Sequence, residues 1–279
     1  MLAGELKNSR QVLCIVNSRR AAQEIYDMLP KEGAYHLSTL MYPAHRQRVL
    51  NEIRQRLKEG AVCRVLSTSL IEAGVDVDFP TVYREMAGLD SILQAAGRCN
   101  REGRRSSAES IVAIFESEYT SPLLIKDNIG AANEALAGGA DPGLPETITK
   151  YFSSLRDIIG DGTDKAEVVK KFERGISGCM MPFDSVAQGF HMIDNNTKTV
   201  YIPLEEGAAI AEKLKSGFAT REVYRKAGRY GVSAYDRLLD AGNIEPLDEN
   251  SAMLVNMELY DKNTGLSLDC EQETGFLYK

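Results

Sequence analysis

Gln11–Asn17, QVLCIVN, is an unbroken apolar run of strand length and β-branched character. Such a run suits a strand buried on both faces, as in a parallel sheet. Working outward, Ser18 is placed to cap a helix carrying Ala22, Ile25, Tyr26 and Leu29 at helical spacing, which Pro30 and Gly33 stop. A second strand is expected over roughly Tyr35–Leu40. Pro43 then opens a long helix with an apolar stripe at Val49, Leu50, Ile53 and Leu57, ended by Glu59-Gly60. Further strands are expected at Cys63–Leu66, Thr81–Met86 and Ile111–Phe115, with a helix capped by Asp90 before the last. Strands alternating with helices imply right-handed crossovers, and ligands gather at the carboxyl ends of such strands. The fold class is α/β: a parallel sheet with flanking helices, then a helical connector and a small α+β C-terminal domain.

The texture changes after Phe115. Thr120–Ala137 and Pro145–Ile159 read as helices around AGGADPG at 137–143, and another helix is expected from about Asp164 to Arg174. Phe190–Ile193 and Lys198–Pro203 suggest a hairpin around Asn195-Asn196-Thr197. Glu205–Lys215 and Thr220–Ala227 read as short helices, and short strands follow to Lys279. The expected domains are 1–118, the parallel-sheet lobe; 119–175, the connector; and 176–279, the C-terminal domain.

At 279 residues, 43% apolar and 26% charged, the chain has the composition of an ordinary globular protein with room for two domains. It has no run of eighteen apolar residues and no apolar segment within Met1–Arg10, so neither a membrane partner nor a secretory leader is expected, and a cytoplasmic location is. Five scattered cysteines form no C-x-x-C pair, and the three histidines form no H-E-x-x-H, so no metal site is expected. The net charge is −7, unevenly spread: residues 1–105 carry 16 basic and 12 acidic side chains, residues 106–279 carry 17 and 28. The first part could therefore face phosphate where the second does not.

Three segments carry chemistry, and each also has a plain structural explanation. Gln94-Ala-Ala-Gly97-Arg98-Cys-Asn-Arg101 sets two arginines on one side of a helical turn, a fork for phosphate oxygens, although a solvated basic helix end would look the same. Ser67-Thr68-Ser69 follows the third strand with hydroxyls for phosphate, Gly74 permits a turn, and Asp76 offers a carboxylate to a ribose or to a facing arginine. Asn17-Ser18-Arg19 opens a helix whose N–H groups could take a phosphate, or is simply a serine cap beside an exposed arginine.

Strand–Asn-Ser-Arg, then S-T-x-x-x-E-A-G-V-D, then Q-x-x-G-R-x-x-R resembles motifs four, five and six of the superfamily-two helicases, with Gln94 unlike the histidine of the DEAD-box group. More closely, VLCIVNSRRAAQEIYDML, YHLSTLMYPAHRQRVLNEIRQRL and STSLIEAGVDVDFPTVYREMAGLDSILQAAGRCNREG are similar to the C-terminal part of the CRISPR-associated helicase–nuclease of type I interference systems, and GFHMIDNNTKTVYIPLEEGA is similar to that family's C-terminal domain. The resemblance runs over essentially the whole chain and covers about the last third of a family member. It implies that residues 1–118 form a second RecA-like helicase lobe, that ATP drives movement on single-stranded DNA displaced by an RNA-guided surveillance complex, and that a metal-dependent HD nuclease domain cleaves the strand. By position it implies that Arg98 and Arg101 contact the ATP γ-phosphate with help from Gln94, and that Gly74, Asp76 and Gly97 border the nucleotide. Asn17, Ser18, Arg19, Ser67 and Thr68 would track the DNA backbone.

The sequence holds no G-x-x-x-x-G-K-[ST], no D-E-x-H or D-E-A-D box and no His-Asp pair. ATP and Mg²⁺ would thus depend on a first RecA-like lobe, and this chain by itself is expected to show no ATPase, helicase or nuclease activity. Two other functions fit the same residues: a non-catalytic module that binds single-stranded DNA or the surveillance complex, and the second lobe of another superfamily-two motor acting on RNA. Few aromatics lie near the basic segments and tryptophan is absent, which argues against strong autonomous binding of bases. The acidic C-terminal domain suggests a protein-facing or lid role.

Overall fold

A computed structural model describes residues 2–164, 167–178, 180–189, 197–216, 219–235 and 242–267. The first half alternates as expected. After helix α1 (Leu2–Asn8) come β1 (Gln11–Ile15), α2 (Arg19–Asp27), β2 (Ala34–Leu37), α3 (Pro43–Lys58), β3 (Cys63–Ser67), β4 (Thr81–Glu85), α4 (Leu89–Ala96) and β5 (Ile111–Phe115). All five strands are parallel, in the order β2-β3-β1-β4-β5. The central strand β1 is fully buried from Val12 to Ile15, because apolar clusters cover it on both faces. Leu13 and Ile15 face one cluster with Met41, Ile53 and Phe79; Val12 and Cys14 face the other with Leu6, Ile25 and Tyr26.

Two local expectations change. Asp90 sits inside the first turn of α4, whose cap is Gly88 without a side-chain hydrogen bond, so its carboxylate favours the helix dipole rather than capping it. The segment expected to be helical from Thr120 starts its α-helix at Lys126, after Pro122 and a short 3₁₀ turn.

By its contacts the chain forms two compact units: residues 1–129 with 197–279, and residues 130–196. Helix α5 (Lys126–Leu136) crosses the boundary. Within the second unit lie α6 (Pro145–Ile159), α7 (Val168–Ser177) and α8 (Phe183–Gly189), where Phe172 and Phe183 meet edge-on with ring centres 5.5 Å apart. The first arm of the expected hairpin, and the residues of its turn before Thr197, lie outside the described residues.

The first unit is completed by β6 (Thr197–Tyr201), α9 (Glu206–Lys215), α10 (Arg221–Ala227), β7 (Gly231–Tyr235), β8 (Ile244–Pro246), β9 (Ser251–Leu254) and the small pair β10 (Tyr260–Asp261) and β11 (Gly265–Leu266). Strands β6 to β9 form a mixed sheet in the order β7-β6-β9-β8. A third apolar cluster joins this sheet to the parallel one: Leu40 and Tyr42, from the turn before α3, pack with Val200, Val232, Leu254 and Tyr260. The Tyr260 hydroxyl accepts from the Tyr42 N–H at 3.2 Å and lies 2.8 Å from Nδ1 of His45. The Leu266 N–H donates to the Leu40 carbonyl at 2.8 Å.

Candidate nucleic-acid interface

The loops after β1 and β3 open into a cleft of about 1160 Å³ whose other wall is the β6–β7 face. Asn17, Ser18, Arg19 and Thr68 from the sequence-derived set line it, joined by Arg20, Thr39, Arg46, Ser69 and Lys126. Ser67 does not: it is wholly buried, and its hydroxyl donates to the Thr68 carbonyl at 2.8 Å.

Several of these residues also have a local duty. Ser18 caps α2, its Oγ accepting from the Ala21 N–H at 3.1 Å. The Asn17 side chain donates to the Met86 carbonyl at 2.8 Å and accepts from Arg84 at 2.8 Å, while its N–H donates to the Glu85 carboxylate at 2.6 Å. The floor of the cleft is therefore tied to the end of β4. Arg46 donates to the Met41 carbonyl at 2.8 Å with half its bulk buried, which fixes the start of α3 against the same space.

The arginine segment behaves differently from a fork of two free guanidiniums. Arg98 is 8% exposed, and its guanidinium donates to the main-chain carbonyls of Ile71, at 3.0 Å, and Glu72. Burial, and then the nearby charge of Arg101, lower its proton affinity. Arg101 stays half exposed and pairs with Asp76 at 3.0 Å. Asp76 meets the facing arginine rather than standing free, and its side chain is 79% exposed. Gln94 and Gly97 are exposed on α4 and at its end. Gly97 has an ordinary helical φ of −65°, with room for a Cβ at 3.4 Å from its nearest neighbour, so glycine is not required there by backbone geometry. Gly74 does require it: φ is +70° in the exposed turn between β3 and β4.

Two organisers of this segment were missed in the sequence. Asp78 accepts from the Arg101 N–H at 2.8 Å and from the Arg105 guanidinium at 2.9 Å. Asn100, at φ +48°, exchanges hydrogen bonds with the main chain of Arg105 and closes the loop that carries the basic cluster. The only signal available was an Asx residue before a glycine-containing turn.

Behind both regions lies a buried ion pair. Glu72 and Arg84, 5% and 2% exposed, are 2.9 Å apart in ionic contact, although their alignment falls short of a hydrogen bond. Burial raises the Glu72 carboxyl against the pull of Arg84, and burial lowers the Arg84 guanidinium. Arg84 reaches Asn17 in the cleft, and the Glu72 carbonyl receives Arg98, so one polar chain connects the cleft floor to the arginine segment. Such a pair gives little net stability, yet removing one partner strands the other charge.

No described helix is long and apolar enough to cross a membrane, and no cluster of three metal-binding side chains occurs among the described residues.

Residues 8–104 match the family described as "CRISPR-associated nuclease/helicase Cas3, C-terminal". That stretch, about a third of the chain, is similar to the C-terminal part of Cas3 nuclease/helicases. The matched residues hold all three motif segments except the last basic residue of the cluster, Arg105. The Cas3 nuclease/helicase of Haloferax volcanii is 46% identical over 85 residues, 29% of this chain and 9% of that protein. In fold, the chain is similar to the crystal structure of T. fusca Cas3 with ADP, with a TM-score of 0.58 at 16% identity over 95% of this chain and 40% of that one. It is similar as well to a chain of a CRISPR RNA-guided surveillance complex in a pre-nicking state, with a TM-score of 0.52 at 17% identity over 92% of this chain and 40% of that one. The chain thus spans about a tenth of the Haloferax Cas3 and about two fifths of the solved Cas3 chains. The fold likeness covers both the five-stranded parallel sheet with its flanking helices, which is of the α/β RecA-like type, and the mixed sheet that follows it.

Proposed function

We propose that this chain is the second lobe and C-terminal domain of an ATP-dependent single-stranded DNA translocase of CRISPR interference. The observation that carries the reading is the cleft: it gathers Asn17, Ser18, Arg19 and Thr68 from two separate loops, beside Arg46 and Lys126. Hydroxyls, cations and an N-terminal helix turn on one wall are the chemistry of phosphate-backbone contact. The basic excess of residues 1–105 has the same sense. Asn17, Ser18, Arg19 and Thr68 then contact the strand directly, and buried Ser67 shapes the loop beneath them.

At the second region, Arg101 is the side chain able to exchange its exposed carboxylate partner for a triphosphate oxygen. Arg98 holds the loop after β3 in place for it, and Gln94, Gly74, Gly97 and Asp76 form the open rim around it. The residues present suit a lobe that meets the γ-phosphate from one side. The chain offers no phosphate cradle, so ATP and Mg²⁺ are held with a P-loop lobe, and the chain by itself turns over no ATP. The HD nuclease domain and the RNA-guided surveillance complex are the remaining partners under this reading, in line with the neighbours named above.

Binding of the purified chain to fluorescent oligothymidylate tests the cleft. A steep fall in affinity with salt, and a smaller salt slope in Arg19→Ala and Arg46→Ala, is expected. Preference for duplex over single strand, or binding indifferent to both substitutions, would contradict it.

A further inference from the structure

The wall of the cleft opposite the motif loops is built with a period of two. On β6, Thr197, Thr199 and Tyr201 face the cleft, and on β7, Gly231, Ser233 and Tyr235 do. The alternate residues Val200, Val232 and Ala234 turn to the apolar cluster and are no more than 1% exposed. In the antiparallel register Thr197 lies opposite Tyr235, Thr199 opposite Ser233 and Tyr201 opposite Gly231. Each tyrosine therefore faces a small residue, and the two stand at opposite ends of the strand pair.

Gly231 is shaped to this arrangement. A Cβ built there would lie 2.8 Å from Cγ2 of Thr199 and 3.5 and 3.6 Å from ring atoms of Tyr201. The missing side chain lets the Tyr201 ring lie across the neighbouring strand, which supports one side of the ring. Both tyrosines are half-buried and line the cleft.

We propose that Tyr201 and Tyr235 are base-stacking platforms for single-stranded DNA, facing a backbone-contacting wall made by the loops after β1 and β3. The proposal rests on the cleft being the DNA path. Charge complementarity supports that occupant: Arg19, Arg20, Arg46 and Lys126 line the cleft, whereas the β6–β7 wall contributes uncharged side chains and aromatic rings to it. Phosphates and bases of one strand need those two chemistries on opposite sides. Four residues separate Tyr235 from the position opposite Tyr201. At about 3.4 Å per residue the platforms are about 14 Å apart, four times the ~3.4 Å step of a stacked strand. The two rings therefore take bases several nucleotides apart rather than adjacent ones, and each ring needs a base with one face free of its neighbour. A duplex offers no such base faces, and the wall selects against it.

The experiment compares the 279-residue chain binding a fluorescein-labelled oligothymidylate with the same strand made wholly abasic, whose phosphates remain. The parent chain should bind the abasic strand about 10-fold more weakly or worse, the range that loss of stacking produces. Tyr201→Ala and Tyr235→Ala should each weaken binding to the base-bearing strand about 10-fold, and neither should further weaken binding to the abasic strand. Tyr201→Phe and Tyr235→Phe should keep parental affinity, which separates stacking from hydroxyl contacts. Equal affinity of the parent for base-bearing and abasic strands overturns the platforms while leaving the cleft standing. Alanine variants that bind like the parent, or that lose affinity equally for both strands, do the same. Absence of measurable single-strand binding by the parent overturns the cleft reading and the platforms together.

Discussion

Arg98 and Arg101 have the same side chain and sit three residues apart, yet their surroundings give them different work. Arg98 donates to two buried carbonyls, so Arg98→Ala leaves those acceptors without partners. That loss costs about 2–3 kcal/mol, and thermal unfolding should shift down by at least about 5 °C. Arg101 and Asp76 are 43% and 79% exposed, and an ion pair in water contributes little. Arg101→Ala should therefore melt within about a degree of the parent. Differential scanning fluorimetry of the two variants checks this, and equal shifts would contradict the division of labour. The sequence made the arginine spacing legible but not the burial, because the acceptors for Arg98 are main-chain atoms some 26 residues away, which no side-chain motif encodes. Asp78 and Asn100 were invisible for the same reason: their importance lies in main-chain N–H groups they hold.

The elements of the parallel sheet were readable because burial on both faces favours apolar runs: Val12–Ile15 is unbroken in the central strand, and Val65-Leu66 marks its neighbour. The wall of the cleft was not. Strands β6 and β7 pair across the 29 residues 202–230, which contain α9 and α10, and the tyrosines come to face the basic loops only through that pairing. The sparse aromatics near the basic segments were thus a fact of sequence, not of space.

Two predictions belong at this scale. Gly265, at φ +87°, begins β11, and a Cβ there would lie 2.4 Å from the Leu40 carbonyl oxygen. Gly265→Ala should break the docking of β11 on the turn before α3 and cost more than about 2 kcal/mol in urea unfolding. Unchanged stability would refute the close approach. On β2, burial pushes the His36 imidazole down to about 4, so folding favours its neutral form. The stability this contributes is complete above the unfolded value near 6.5 and is lost as pH falls from there through 4. The full effect is on the order of 3 kcal/mol. His36→Leu cannot titrate, so its unfolding free energy should fall less between pH 6.5 and 4.5 than the parent's. Parallel pH profiles would show that His36 protonates freely in the folded protein.

At the scale of the whole molecule, the first unit draws on both ends of the described chain, with residues 130–196 forming a unit between them in sequence. The motif-bearing sheet and the late mixed sheet share one apolar cluster, so the cleft between them has two fixed walls. The acidic excess of residues 106–279 suggested a protein-facing role for the later part of the chain. Net charge averages over surfaces that face different ways, and it missed the uncharged β6–β7 face. The charge count, the helicase motifs and the missing P-loop were all legible in the sequence; which face of the later sheet meets the motifs required the fold.

The central claim is that this chain supplies an arginine to a triphosphate held elsewhere. Its most direct test mixes the chain with the P-loop-bearing lobe of a Cas3 helicase and measures ATP hydrolysis with and without single-stranded DNA. DNA-stimulated turnover should appear only in the mixture, and Arg101→Ala should lower it about 10³-fold or more. Hydrolysis by the chain alone, or a mixture as active with Arg101→Ala as without it, would contradict the account.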